Sequence, residues 1–188
     1  MEIKRGFTLI ELLIVIGIFS VLALVGTDLF TSVLRGSNKA QVLSQVKQNG
    51  QVALDTMERY VRSASNAVPG YAGSGPTLGL PQKSGQYVQF TFVPGCKPTG
   101  NCGASKNGVI LILIGSDLQY LTNTDTINGV HVENATFKIL SPTPPAVSAS
   151  PTKVVEIELL LQQGVQAPTR KDFVSTITLK SVASTRTY

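Results

Sequence analysis

The chain has 188 residues, 43% of them hydrophobic and only 14% charged, with a formal net charge of +5. That length admits one modest domain with an appendage. The charge is spread thinly, with no block of five or more like residues, which argues against a concentrated nucleic-acid footprint and for a solvated, slightly basic surface.

A short basic leader opens the sequence, with Lys4 and Arg5 against Glu2. From Phe7 to Val25 the only charge is Glu11, and the rest is Leu, Ile, Val, Phe, Gly and Ala with Thr8 and Ser20. About 20 such residues in a helix span roughly 30 Å, the thickness of a bilayer's hydrocarbon core. Basic leader before apolar helix is also the layout of a cleaved secretory signal and of a plain signal anchor. Val25-Gly26-Thr27-Asp28 makes a poor secretory cleavage site. A plain anchor, in turn, has no use for a carboxylate one turn inside its apolar stretch. Burying Glu11 in lipid costs about 2–3 kcal/mol unless a cation meets it, so the residue is a functional candidate.

Lys4-Arg5-Gly6-Phe7-Thr8-Leu9-Ile10-Glu11-Leu12-Leu13 resembles the cleavage and methylation motif of type IV prepilins and pseudopilins, a resemblance covering about 20 residues. It implies that a prepilin peptidase cuts after Gly6 and methylates the new N-terminus at Phe7. Glu11 would then be the fifth residue of the mature chain and serve assembly. The physical logic stands beside the resemblance. Cutting at Gly6 creates an amine at Phe7 in the membrane interface, and a carboxylate four residues on can pair with that amine or with a neighbouring subunit's. Gly6 gives a membrane protease access to the backbone. Lys4 and Arg5 hold the leader on the cytoplasmic side. The resemblance further implies sibling subunits, an inner-membrane platform protein and a cytoplasmic assembly ATPase as partners.

Between Asp28 and Asn66 there is no proline. Leu29, Val33, Gly36, Ala40, Leu43, Gly50, Leu54, Met57, Val61 and Ala64 follow a spacing of three to four, interrupted only at Lys47. Charged and amide residues occupy the other faces, so this stretch predicts an amphipathic continuation of the helix. Asn66–Gly85, with five Gly and three Pro, predicts an irregular loop. Strand signals follow at Tyr87–Val93, Val109–Ile114, Leu118–Thr122, Val130–Leu140, Val154–Leu161 and Phe173–Val182. Asn128-Gly129 is a turn signal, and the proline-rich Ser141–Lys153 an exposed connection. Closely spaced strands without intervening helices predict an antiparallel sheet under the helix, an α+β fold of the pilin-like kind. The organisation is then a leader (1–6), a transmembrane and assembly helix (7–27), an amphipathic helix (28–66), a Gly/Pro-rich loop (67–85) and a β-rich extracytoplasmic head (86–188).

Three short segments, Leu54–Ala64, Asn134–Phe137 and Phe173–Lys180, are similar to parts of W-type minor pilins and J-type minor pseudopilins. This implies a minor subunit, with a major pilin or a competence-type pilin as alternatives. Cys96 and Cys102 flank a turn-rich run of five residues. Outside the cytoplasmic membrane this predicts a small disulfide-closed loop. A metal site would need more ligands than the single His131 offers, so no metal and no cofactor are expected. His131 lies in an alternating strand and is expected as a surface or packing residue. Asp125–Gly129 reads as a turn rather than a calcium loop. No phosphate loop or nucleophile elbow appears, so no enzymatic activity is expected. The expected role is a subunit of a pilus or secretion pseudopilus, inserted in the inner membrane with its head outside and then assembled at the surface or in the envelope. A tip-located module capturing DNA, a surface or a secretion substrate is the competing class.

Overall fold

The computed structural model describes residues 8–70, 76–96, 105–140, 152–170 and 173–186. Among these residues one helix, α1 (Leu9–Ser63), precedes eight strands. These are β1 (Val68–Pro69), β2 (Thr77–Pro81), β3 (Tyr87–Val93), β4 (Val109–Ile114), β5 (Asp117–Tyr120), β6 (Val130–Leu140), β7 (Val154–Gln163) and β8 (Thr176–Ser184). The chain divides into two compact units, Met1–Asn38 and Lys39–Tyr188.

In the first unit every described residue from Thr8 to Ser37 is exposed. The helix forms because Leu, Ile, Val, Phe and Ala carry no competing polar groups and no proline removes a backbone donor. Its few hydroxyls are turned back onto the helix: Ser20 Oγ donates to the Ile16 carbonyl and Thr27 Oγ1 to the Ala23 carbonyl, each at 2.8 Å. Those groups therefore place no unsatisfied donor in an apolar medium.

In the second unit the remainder of α1 buries Val46, Gly50, Ala53, Leu54, Met57 and Val61. It lies on two antiparallel sheets, of order β1-β2-β3-β4-β5 and β6-β7-β8. Alternation decides the inner faces. Leu78 and Leu80, Val88, Phe90 and Phe92, and Ile110 and Ile112 point inward from the larger sheet. Val155, Ile157, Leu159 and Leu161 do so from β7. These side chains and the helix residues form one apolar cluster. Gly50 is required where the helix touches the smaller sheet, because a Cβ there would overlap the ends of Leu161 and Leu179. Further along, Tyr60 meets Phe90 edge-on with ring centroids 5.9 Å apart. The last turn of α1 has free carbonyls to satisfy. Gln82 Nε2 donates to the Tyr60 carbonyl at 3.4 Å, and its Oε1 accepts from Ser63 Oγ at 2.8 Å.

The expected α+β architecture is present, with three corrections. The predicted loop 67–85 contains β1 and β2, whose register on β3 (Leu78 opposite Phe90, Leu80 opposite Val88) buries both leucines. Pairing and burial outweigh the breaker composition of that segment. The single expected sheet is two. Finally, the apolar stripe of α1 is buried only from Val46 onward, while Leu29, Val33 and Leu43 are exposed. The stripe also passes through Val46 rather than being interrupted at Lys47, which faces solvent.

Candidate functional site

The candidate site is the start of α1. The first backbone hydrogen bond of the helix runs from the Leu12 N–H to the Thr8 carbonyl at 3.2 Å. Thr8 is thus the residue that caps the helix. The Glu11 N–H donates to Thr8 Oγ1 at 3.3 Å, and the Thr8 hydroxyl approaches Glu11 Oε2 at 3.5 Å. This is half of a capping box: the threonine hydroxyl takes one of the otherwise unpartnered first-turn donors. The carboxylate, in the first turn, also sits at the positive end of the helix dipole.

This geometry assigns Thr8 a part that sequence reasoning left unassigned. The signal was legible, because Thr8-x-x-Glu11 ahead of an apolar run is the capping-box spacing. It also separates Glu11 from the other polar residues nearby. Ser20 and Thr27 are spent on main-chain carbonyls, whereas the Glu11 carboxylate has one long contact with a hydroxyl and retains its charge-pairing capacity. Gly6 and Phe7 lie outside the described residues, so the expected partner amine has no geometry here.

The other expected residues fall elsewhere. Cys96 forms an isolated antiparallel bridge with Lys106, its N–H donating to the Lys106 carbonyl at 2.7 Å. Cys102 lies outside the described residues, and no described cysteine is free. His131 is only 4% exposed. Its Nδ1 accepts the Gly108 N–H at 2.8 Å, and Nε2 lies 3.1 Å from Glu133 Oε2. An Nδ1 that accepts from the main chain carries no proton, so Nε2 is the donor to Glu133. His131 is thereby a packing residue that ties β6 to the start of β4. Asp125 builds the expected turn, its carboxylate accepting the Ile127 and Asn128 N–H groups at 2.8 and 3.2 Å. Those bonds hold its pKa below the usual value, that from Ile127 most of all. Arg59, Arg62 and Arg186 share a surface hollow with Asp55 and Glu58, so basic and acidic groups alternate there.

By length and composition α1 is able to cross a membrane. The prokaryotic N-terminal methylation motif matches residues 2–27 of the chain. No curated protein and no solved structure shows significant similarity to it. The match spans the basic leader, the Gly6-Phe7 junction, the Thr8–Glu11 cap and the start of the apolar helix. The chain carries at its N-terminus the methylation signature of type IV pilins and pseudopilins, on a helix able to anchor a precursor in a membrane.

Proposed function

We propose that this protein is a structural subunit, of the minor type, of a type IV pilus or a type II secretion pseudopilus. A prepilin peptidase cuts it after Gly6 and methylates Phe7. Glu11 then meets the amine of Phe7 or of a neighbouring subunit and sets the axial register. The observation that carries this is the coincidence of the methylation motif at residues 2–27 with a helix exposed from Thr8 to Ser37. An apolar surface of that extent is stable only in lipid or against other subunits. Before assembly the precursor spans the inner membrane once, with the β-rich unit outside the cytoplasm. The platform protein and the assembly ATPase then extract it into the filament. In the head, Cys96 and Cys102 form a disulfide.

The structural role and the minor assignment are tested together by quantitative mass spectrometry of filaments sheared from the native host. A minor subunit is present and scarce beside a major one. Abundance equal to the principal subunit reverses the minor assignment, and complete absence from filaments of a producing cell removes the structural role.

A further inference from the structure

The two-sheet unit has a cavity of about 300 Å³ on the outer side of the larger sheet, near the Cys96–Lys106 bridge. Its floor is apolar, made by Val93 at the end of β3 and by Val109 and Leu111 of β4. Its rim carries the polar residues Lys106, Tyr120, Thr124 and Thr126. A cavity of this size is at the small end of ligand sites and accommodates one ring.

The rim is built rather than incidental. The buried Asn107 donates from Nδ2 to the Asp125 carbonyl at 2.6 Å and accepts the Val165 N–H on Oδ1 at 3.0 Å. Thr126 is held from the other side: its carbonyl accepts the Gln166 N–H at 2.8 Å and its hydroxyl donates to Gln166 Oε1 at 2.5 Å. The loop between β5 and β6 is therefore fixed to segments distant in sequence, and a ligand entering there pays little ordering entropy. Among the described residues Lys106 is the only charged one lining the cavity, and it makes no ion pair with them. The nearby acid, Asp125, does not line the cavity and turns its carboxylate onto main-chain N–H groups. Tyr120, opposite Leu111 in the β4–β5 pairing, is 64% exposed and brings an aromatic ring to the cavity.

The geometry points to a binding site for a carboxylate borne on a single ring, the ring lying on Val109 and Leu111 beside Tyr120 and the carboxylate meeting Lys106. This goes beyond the assembly role and does not depend on it. Two sources supply that chemistry, an acidic sugar and a free aromatic acid, and the probes separate them.

Methyl NMR of the full mature chain in detergent micelles, titrated with glucuronate and with benzoate, tests the site. Glucose and benzyl alcohol serve as the uncharged counterparts. A single-ring acid in a site of ordinary ligand efficiency binds with a Kd of about a millimolar. Saturable shifts of the Val109 and Leu111 methyls with glucuronate, absent with glucose, establish the site as one for acidic sugars. The same response to benzoate alone, absent with benzyl alcohol, establishes it for free aromatic acids. In either case Lys106→Ala weakens binding about tenfold, the loss expected for one charge-assisted hydrogen bond, and Lys106→Arg restores most of it. Lys83→Ala, in the turn between β2 and β3, leaves binding unchanged. Absence of saturation with both acids, equal binding of the uncharged counterparts, or indifference to Lys106→Ala overturns the proposal.

Discussion

Substitutions at Glu11 and Thr8 separate two contributions that share one carboxylate. Glu11→Val removes both the charge and the contact with the Thr8 hydroxyl. Glu11→Gln keeps a polar group within reach of that hydroxyl, 3.5 Å from the present carboxylate, but has no charge. Thr8→Val keeps the charge and removes the cap. A lost N-cap costs about 1 kcal/mol, roughly a fivefold change in a local equilibrium. An amine left without its counter-charge in a low-dielectric site costs about 3–5 kcal/mol, more than a hundredfold. None of the three should impair insertion, and the Glu11 variants should insert at least as well, since the carboxylate itself costs about 2–3 kcal/mol in lipid. Cleavage should survive in all three. The assay is the processed fraction in inner membranes beside the amount recovered in sheared filaments. Both Glu11 variants should fall to about a hundredth of wild-type incorporation, and Thr8→Val to about a fifth. Wild-type incorporation of Glu11→Val would show that charge pairing does not register the subunit. Recovery by Glu11→Gln alone would show that the side-chain contact with the Thr8 hydroxyl matters and the charge does not.

Three further outcomes are expected. Non-reducing peptide mapping should recover one linked peptide joining Cys96 and Cys102, worth ~2 kcal/mol for so short a loop; free thiols in freshly alkylated protein would contradict it. Met57→Ala, at a fully buried position, should destabilise the two-sheet unit by about 2–5 kcal/mol, whereas Leu29→Ala on the exposed stretch should leave its melting temperature unchanged. Equal losses would mean that the two halves of α1 are not distinguished by burial. Asp125 has a depressed pKa in the folded chain, so its contribution is complete above about pH 4 and fades as the pH falls through its own lower value. The stability difference between wild type and Asp125→Asn should therefore shrink on acidification, and a constant difference in thermal melts would refute that role.

Much of this was legible in the sequence because it is written in local signals. Tyr87–Val93 alternates and Val109–Ile114 is a short, fully apolar run, and the observed β3, β4 and β6 have the bounds expected for Tyr87–Val93, Val109–Ile114 and Val130–Leu140. The membrane-length helix and its single carboxylate follow from composition alone. What escaped depends on partners distant in the chain. Thr77–Pro81 looks like loop because Gly79 and Pro81 punctuate it, and it becomes β2 only because β3 offers a paired edge and the core accepts Leu78 and Leu80. The two sheets are joined at Gly108, whose carbonyl accepts the Val132 N–H and whose N–H donates to His131 Nδ1. No periodicity announces such a joint. The extent of helix burial escapes for the same reason, since the stripe is equally apolar at the exposed Leu29 and Val33 and at the buried Leu54 and Met57. At the N-terminus the carboxylate was recognised from its cost in lipid, while the capping threonine, equally visible three residues earlier, was passed over.

The most direct test is the mass of the N-terminal peptide of protein isolated from the native host membrane. The mature chain should begin at Phe7 and carry one methyl group on its amine, with Gly6 and the residues before it removed. A mature chain that retains Met1, or one cut near Gly26 as a secretory signal would be, contradicts the processing on which the assembly role rests.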